Sequence, residues 1–139
     1  MIYSVDVNVS APVRDTEVTD RGVDAVRNLF PEAEIERQPG RVVAETHSLD
    51  HFSELLHRQE ILDTARREFA KRRSGDAFSF TLKKQAAFKG VVNFAVGTPD
   101  ELGDVEVHVT VRDPSVEEFV DYVAPPTEEG KPIDPDERD

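Results

Sequence analysis

Three histidines, His47, His51 and His57, fall within eleven residues, with Glu54 among them. Imidazoles and a carboxylate so close together are the raw material of a metal site or of acid–base chemistry. His47 and His51 are four apart, a spacing that suits two ligands on one helix. His47, however, precedes Ser48, the residue suited to cap the helix that follows, so the pair is not expected to share a helical face. No HExxH is present, and structural zinc requires four closed ligands. Surface histidines at a helix start are expected, with no metal site and no cofactor. Nucleophilic chemistry fares no better, since the chain has no cysteine and no GxSxG. Gly75, Gly90, Gly97 and Gly103 are isolated turn glycines, not a phosphate-binding loop. A protein that is not an enzyme is expected.

The charges carry more information. The 139 residues hold 29 acidic against 17 basic side chains, a net charge of −12. Only five of the 17 basic residues are lysine. An acid-rich, lysine-poor surface holds water where salt screens ordinary repulsion, so adaptation to a salt-rich cytoplasm is expected. Residues 57–89 reverse the sign, with nine basic side chains against four acidic ones. The functional reading is a phosphate-bearing partner, RNA, with Phe88 as a stacking surface. The structural reading is an arginine-rich helix end that complements its own dipole and pairs with nearby acids. At molar salt the Debye length falls to about 3 Å, so any RNA contact must rest on bidentate arginines, stacking and shape.

The elements that position these residues follow from periodicity. Tyr3, Val5, Val7, Val9 and Ala11 alternate with polar residues, a strand with one buried face that Pro12 ends. A helix is expected from Thr16 or Thr19 to Phe30, stopped by Pro31. Ala33 to Arg37 and Arg41 to Thr46 flank Pro39-Gly40 and read as a hairpin. A long helix should run from a Ser48 cap to Arg73, with Gly75 beyond its end. Its apolar stripe is broken. Leu49, Phe52, Leu55 and Leu56 form one line, and Ile61, Leu62, Ala65 and Phe69 form another, rotated by roughly a third of a turn. Gln59, Asp63, Arg66 and Arg67 occupy the line that began as core. Either the helix changes neighbours midway, or a polar site is built there.

Three strands should follow, over Phe78–Leu82, Val92–Val96 and Val105–Val111. Lys84 to Lys89 reads as a connection or kinked strand. A last helix is expected with Asp113 as cap, Pro114 in first position and Val116, Phe119, Val120 and Val123 buried. The order β-α-β-β-α-β-β-β-α lacks strict βαβ alternation. An α+β fold is therefore expected, a mostly antiparallel sheet with helices packed on one face. Residues 1–124 form its single domain, and residues 125–139 a disordered, acidic, proline-rich tail. The first strand begins too early to leave room for a signal peptide, and no apolar run could span a membrane, so a cytoplasmic protein is expected. Exposed strand edges also point to a homodimer, and a homodimeric interaction module is the alternative function.

Two stretches carry a resemblance. Arg58-Gln59-Glu60-Ile61-Leu62-Asp63-Thr64-Ala65-Arg66 is one, and Lys84-Gln85-Ala86-Ala87-Phe88, followed by Val92-Asn93-Phe94, is the other. They resemble an archaeal family of uncharacterised proteins catalogued as RNA-binding and sometimes as exosome-subunit-like. The opening strand, Asn28-Leu29-Phe30-Pro31 and the Asp113-Pro114 helix fit the same pattern, so the resemblance covers about residues 1–124. It implies a fold similar to the large-subunit ribosomal protein that binds 5S rRNA. It also implies a role in RNA binding, linked to the ribosome or to RNA processing, and it carries over no catalytic residues. The acidity and the tail depart from the family, as a haloarchaeal member would. The candidate RNA-binding residues are Arg58, Gln59, Arg66, Arg67, Lys84, Gln85 and Lys89. Gln59, Asp63, Arg66, Lys84 and Gln85 are expected to form one polar cluster between the long helix and the sheet. That cluster is either a buried structural network or the RNA-facing site.

Overall fold

The computed structural model describes residues 3–14, 19–95, 103–128 and 131–132. Four strands alternate buried apolar and outward polar residues: β1 (Ser4–Pro12), β3 (Arg41–Thr46), β5 (Ala77–Lys83) and β6 (Asp104–Asp113). With β2 (Glu34–Gln38) and the short β4 (Arg73–Ser74) they form one antiparallel sheet of order β2-β3-β1-β6-β5-β4. Gly40, at φ 78°, closes the expected β2–β3 hairpin.

Val5, Val7, Val9 and Ala11 of β1 and Val105, Val107, Val109 and Val111 of β6 point to one face and are buried. Helices cover that face: α1 (Thr19–Leu29), α2 (Asp50–Arg58), α3 (Leu62–Lys71), α4 (Lys84–Phe88) and α5 (Val116–Val123). The layer between is strongly aromatic. Phe52 stacks on Phe30 at 5.6 Å and on Phe80 at 5.3 Å, and Phe69 meets Phe80 at 4.9 Å and Phe78 at 4.8 Å. The expected α+β fold, with its helices packed on the antiparallel sheet, is what is found.

Several local expectations are corrected. The long helix is two helices. Glu60 takes a left-handed φ of 58°, its amide donates to the His57 carbonyl, and the Ile61 amide donates to the Leu56 carbonyl. That is a Schellman termination of α2 with a glutamate where glycine is usual, which hid the break from sequence reading. The new axis of α3 brings Leu62, Ala65 and Phe69 back onto the sheet, so the rotated stripe is core after all. The cap of α2 is Leu49 and not the expected Ser48, whose hydroxyl accepts the amide of Asp50, the first residue of the helix.

The Lys84–Lys89 segment is helical. Gly90 at φ 77° ends α4 in a second Schellman arrangement, its amide donating to Ala87 and the Val91 amide to Ala86. The expected Val92–Val96 strand is reduced to a bridge between Phe94 and Leu82. Backbone bonds from Lys83 to the Asn93 carbonyl and from Ala95 to the Thr81 carbonyl tie the segment to β5, and Gln59 holds Val92. The Gln59 side-chain NH₂ donates to the Val92 carbonyl at 2.8 Å and its oxygen accepts the Val92 amide at 2.9 Å. An amide side chain thus occupies the place of a strand neighbour. Lastly, the cap of α5 is Ser115, whose hydroxyl accepts the Glu118 amide, and not Asp113, which stays in β6.

Val96, Thr16 and most of the Gly97–Gly103 loop lie outside the described residues, as do residues 129–130 and 133–139 of the expected tail. Thr127–Glu128 (β7) pairs with Lys131–Pro132 (β8). No helix among the described residues is long and apolar enough to cross a membrane.

Left-handed backbone costs a residue with a Cβ roughly 1 kcal/mol. Glu60→Gly should therefore raise stability by about 1 kcal/mol in chemical denaturation without altering the circular dichroism spectrum. Gln59→Ala removes both bonds to Val92. It should cost about 2 kcal/mol and should accelerate hydrogen exchange from Ala86 to Ala95 before the rest of the domain.

Candidate nucleic-acid interface

The candidate residues do not converge. Gln59 is bound to Val92. The Arg66 guanidinium donates to Asp121 at 2.7 Å and to the Ala124 carbonyl at 2.8 Å, tying α3 to the end of α5. Asp63 accepts the Thr127 hydroxyl. Lys84 is only 4% exposed, and its ammonium donates to the Pro12 carbonyl at the end of β1. The expected cluster is therefore a set of separate ties, each closing a different junction between elements. A buried ammonium cannot reach a phosphate without abandoning its carbonyl. For Gln59, Arg66 and Lys84 the structural half of the expectation describes what the side chains do.

The arginines at the end of α3 are paired as well. Arg72 meets Glu106 at 3.2 Å and the Thr81 hydroxyl at 2.9 Å, and Lys71 meets Glu68. Arg73 bonds Glu117, and that hydrogen bond holds the Glu117 carboxyl below the usual carboxylate range. Apart from the largely covered Glu68, these groups are exposed, so the pairs contribute little to stability, but each carboxylate offsets the charge that an approaching phosphate would meet.

What remains accessible lies elsewhere. Arg58, Gln85 and Lys89 are exposed, and their side chains make no bond among the described residues. Arg67 is exposed too, with one long contact to Thr64 on its own helix. Gln85 and Lys89 share a face of α4 with Phe88, which is 37% exposed. The Arg21 guanidinium of α1 lies over the Phe88 ring, 4.9 Å from its centre. Val91, 43% exposed, continues the apolar surface.

This surface is held from both ends. Asn28 of α1 donates to the carbonyls of Ala87 and Phe88, at 3.2 and 2.9 Å, and Gln59 grips Val92. His51 reaches the Asn28 carbonyl at 3.1 Å and so braces the same corner. Arg21 was not legible as a partner of Phe88. It lies 67 positions away in an acidic stretch, and only the packing of α1 on α4 joins them.

The uncovered face of the sheet has the opposite character. In-register rows place Glu34, Glu45, Asn8, His108 and Ser79 side by side, and Glu36, Val43, Ser10, Glu106 and Thr81 beside them. Its carboxylates repel a polyanion. At one corner Asp6, Glu45 and His47 bring ligand atoms within 4.8 Å of one another. There the His47 Nδ1 lies 2.9 Å from the Val5 carbonyl, and Arg112 already occupies Asp6 at 3.2 Å.

The comparisons with known proteins agree with one another. A family model described as RNA binding matches residues 6–112. A UPF0201 protein of Aeropyrum pernix is 36% identical over 137 residues, spanning 93% of this chain and 91% of its own. A UPF0200/UPF0201 protein of Archaeoglobus fulgidus is 38% identical over 134 residues, and this chain spans 40% of that longer relative. The crystal structure of a UPF0201 protein from Methanococcus jannaschii superposes with a TM-score of 0.85 at 32% identity, covering 93% of this chain and 99% of that one. The fold is thus shared with a solved relative, and the chain belongs to the archaeal UPF0201 family.

Proposed function

We propose that this protein is a non-enzymatic RNA-binding protein of a salt-rich archaeal cytoplasm. It contacts RNA through the corner where α1 meets α4, with Arg21, Gln85, Phe88 and Lys89 as the contact residues and Arg58 and Arg67 as outlying cations. The observation that carries the proposal is the Arg21 guanidinium lying over the exposed Phe88 ring beside an unpaired Lys89. Planar groups next to a cation suit bases and phosphates together. The family model's description of RNA binding supports the same reading. So does the acidic sheet face, which leaves a polyanion few places to land. The rival, a homodimer closing the sheet, would set Glu34, Glu36, Glu45 and Glu106 against their own copies, and β2 already blunts its edge with charge.

The test is crosslinking and recovery of RNA from a native cytoplasm at its own salt concentration. Wild type should recover defined RNAs, and Phe88→Ala/Lys89→Glu should lose them. Equal recovery by both would refute the assigned surface. Arg66→Ala serves as the contrast. It should lower stability by about 2 kcal/mol, as loss of two charge-assisted bonds at a half-buried site does, while RNA recovery stays within about twofold.

A further inference from the structure

Resting on that proposal, we infer that the RNA is single-stranded, and that Arg21, Gln85, Phe88 and Lys89 together hold one unpaired nucleotide. Three groups of complementary chemistry stand within one helical turn. The exposed Phe88 ring, with the Arg21 guanidinium 4.9 Å from its centre, offers planar groups against which a base can lie. Gln85, on the same face of α4, offers both a donor and an acceptor to a base edge. Lys89, at the C-terminal end of the same turn, offers a cation to the phosphate.

A duplex would ask for something this surface lacks. Duplex RNA hides its bases and is bound through backbone contacts over a broad basic face. Here five of the nine basic side chains of residues 57–89 are engaged elsewhere. Arg66, Lys71, Arg72 and Arg73 are paired with acids, and Lys84 is buried. The accessible apolar surface, in contrast, is concentrated at this corner. Phe88 and Val91 are two of the three exposed large hydrophobic residues among those described. The third, Tyr122, donates to the Asp50 carboxylate at 2.8 Å and meets the Tyr3 ring at 4.6 Å.

The surface is also pre-organised. The Schellman bonds at Gly90, the two Asn28 bonds and the Gln59–Val92 pair fix the backbone on both sides of Phe88. Stacking a base therefore orders little that was free. Binding by stacking also survives strong salt, where phosphate contacts alone fade.

The experiment is fluorescence anisotropy with the full chain across a salt series. The probes are labelled oligo(U) and oligo(A) of about ten nucleotides and an RNA duplex of about 16 base pairs. The single strands should bind at least tenfold more tightly than the duplex. With only one or two phosphates engaged, the slope of log affinity against log salt should be about −1. Phe88→Ala and Phe88→Leu should each weaken single-strand binding about tenfold, in the range expected for one stacked base. Gln85→Ala should narrow the difference between oligo(U) and oligo(A). Thermal melts confirm folding, since all these side chains are exposed. Duplex binding as tight as single-strand binding, unaffected by Phe88→Ala, would overturn the inference and leave RNA binding standing. No binding of either probe, with no RNA recovered from the cytoplasm, would remove the proposed function itself. If Phe88→Ala instead converts a dimer to a monomer, the corner is a contact between copies and the inference falls.

Discussion

The side-chain amide of Gln59 does the work of a β-strand. It pairs with both backbone groups of Val92, on a segment whose Asn93 and Ala95 are already bonded to β5. The cost of leaving the Val92 groups unpaired would be large, because each buried amide or carbonyl needs a partner. That single residue can serve because the chain breaks immediately after it. Glu60 turns left-handed, α2 stops, and Gln59 is left at a helix end beside Val92 rather than on a helix side. The break, the reoriented α3 and the anchored α4 corner are one construction.

The charges are divided by the same logic. Long basic side chains that look alike in sequence have different duties. Lys84 holds a strand end from inside, Arg66 staples two helices, and Arg72 and Arg73 reach acids on β6 and α5. A positive segment on an acidic chain is thus partly an internal matter, because the acids that surround it are its partners. The exposed remainder is small, which is why planar side chains carry more weight than net charge in assigning the interface.

Strands with strict alternation, such as β1 and β6, were legible because one buried face imposes period two. The hairpin at Pro39-Gly40 was legible because its turn requires particular residues. The helix break was not, since a glutamate in left-handed geometry gives no signal that a glycine would. The rotated apolar stripe was its shadow. The Val92 segment keeps only a bridge to β5, and its other side is met by the Gln59 side chain, a kind of pairing that has no periodicity. The motif residues were expected to form one polar cluster. Their dispersal to Val92, Asp121 and Pro12 depends on contacts between distant parts of the chain. Phe88 was legible as an exposed ring, but Arg21 above it was not.

The position of β1 in the sheet has a consequence for synthesis. This strand pairs on one side with β3, about 35 residues later, and on the other with β6, about 100 residues later, where Val5 lies opposite Val111. A nascent chain can assemble β1, β2 and β3 with α1 early, but the second edge of β1 stays bare until the last sheet strand has emerged. The aromatic layer is in the same position, because Phe78 and Phe80 sit on β5, the other neighbour of β6. Such non-local closure slows folding and leaves an open, apolar strand edge in the interim. The polar residues alternating along β1, Asp6, Asn8 and Ser10, are then the only guard the half-made sheet has against pairing with another nascent chain.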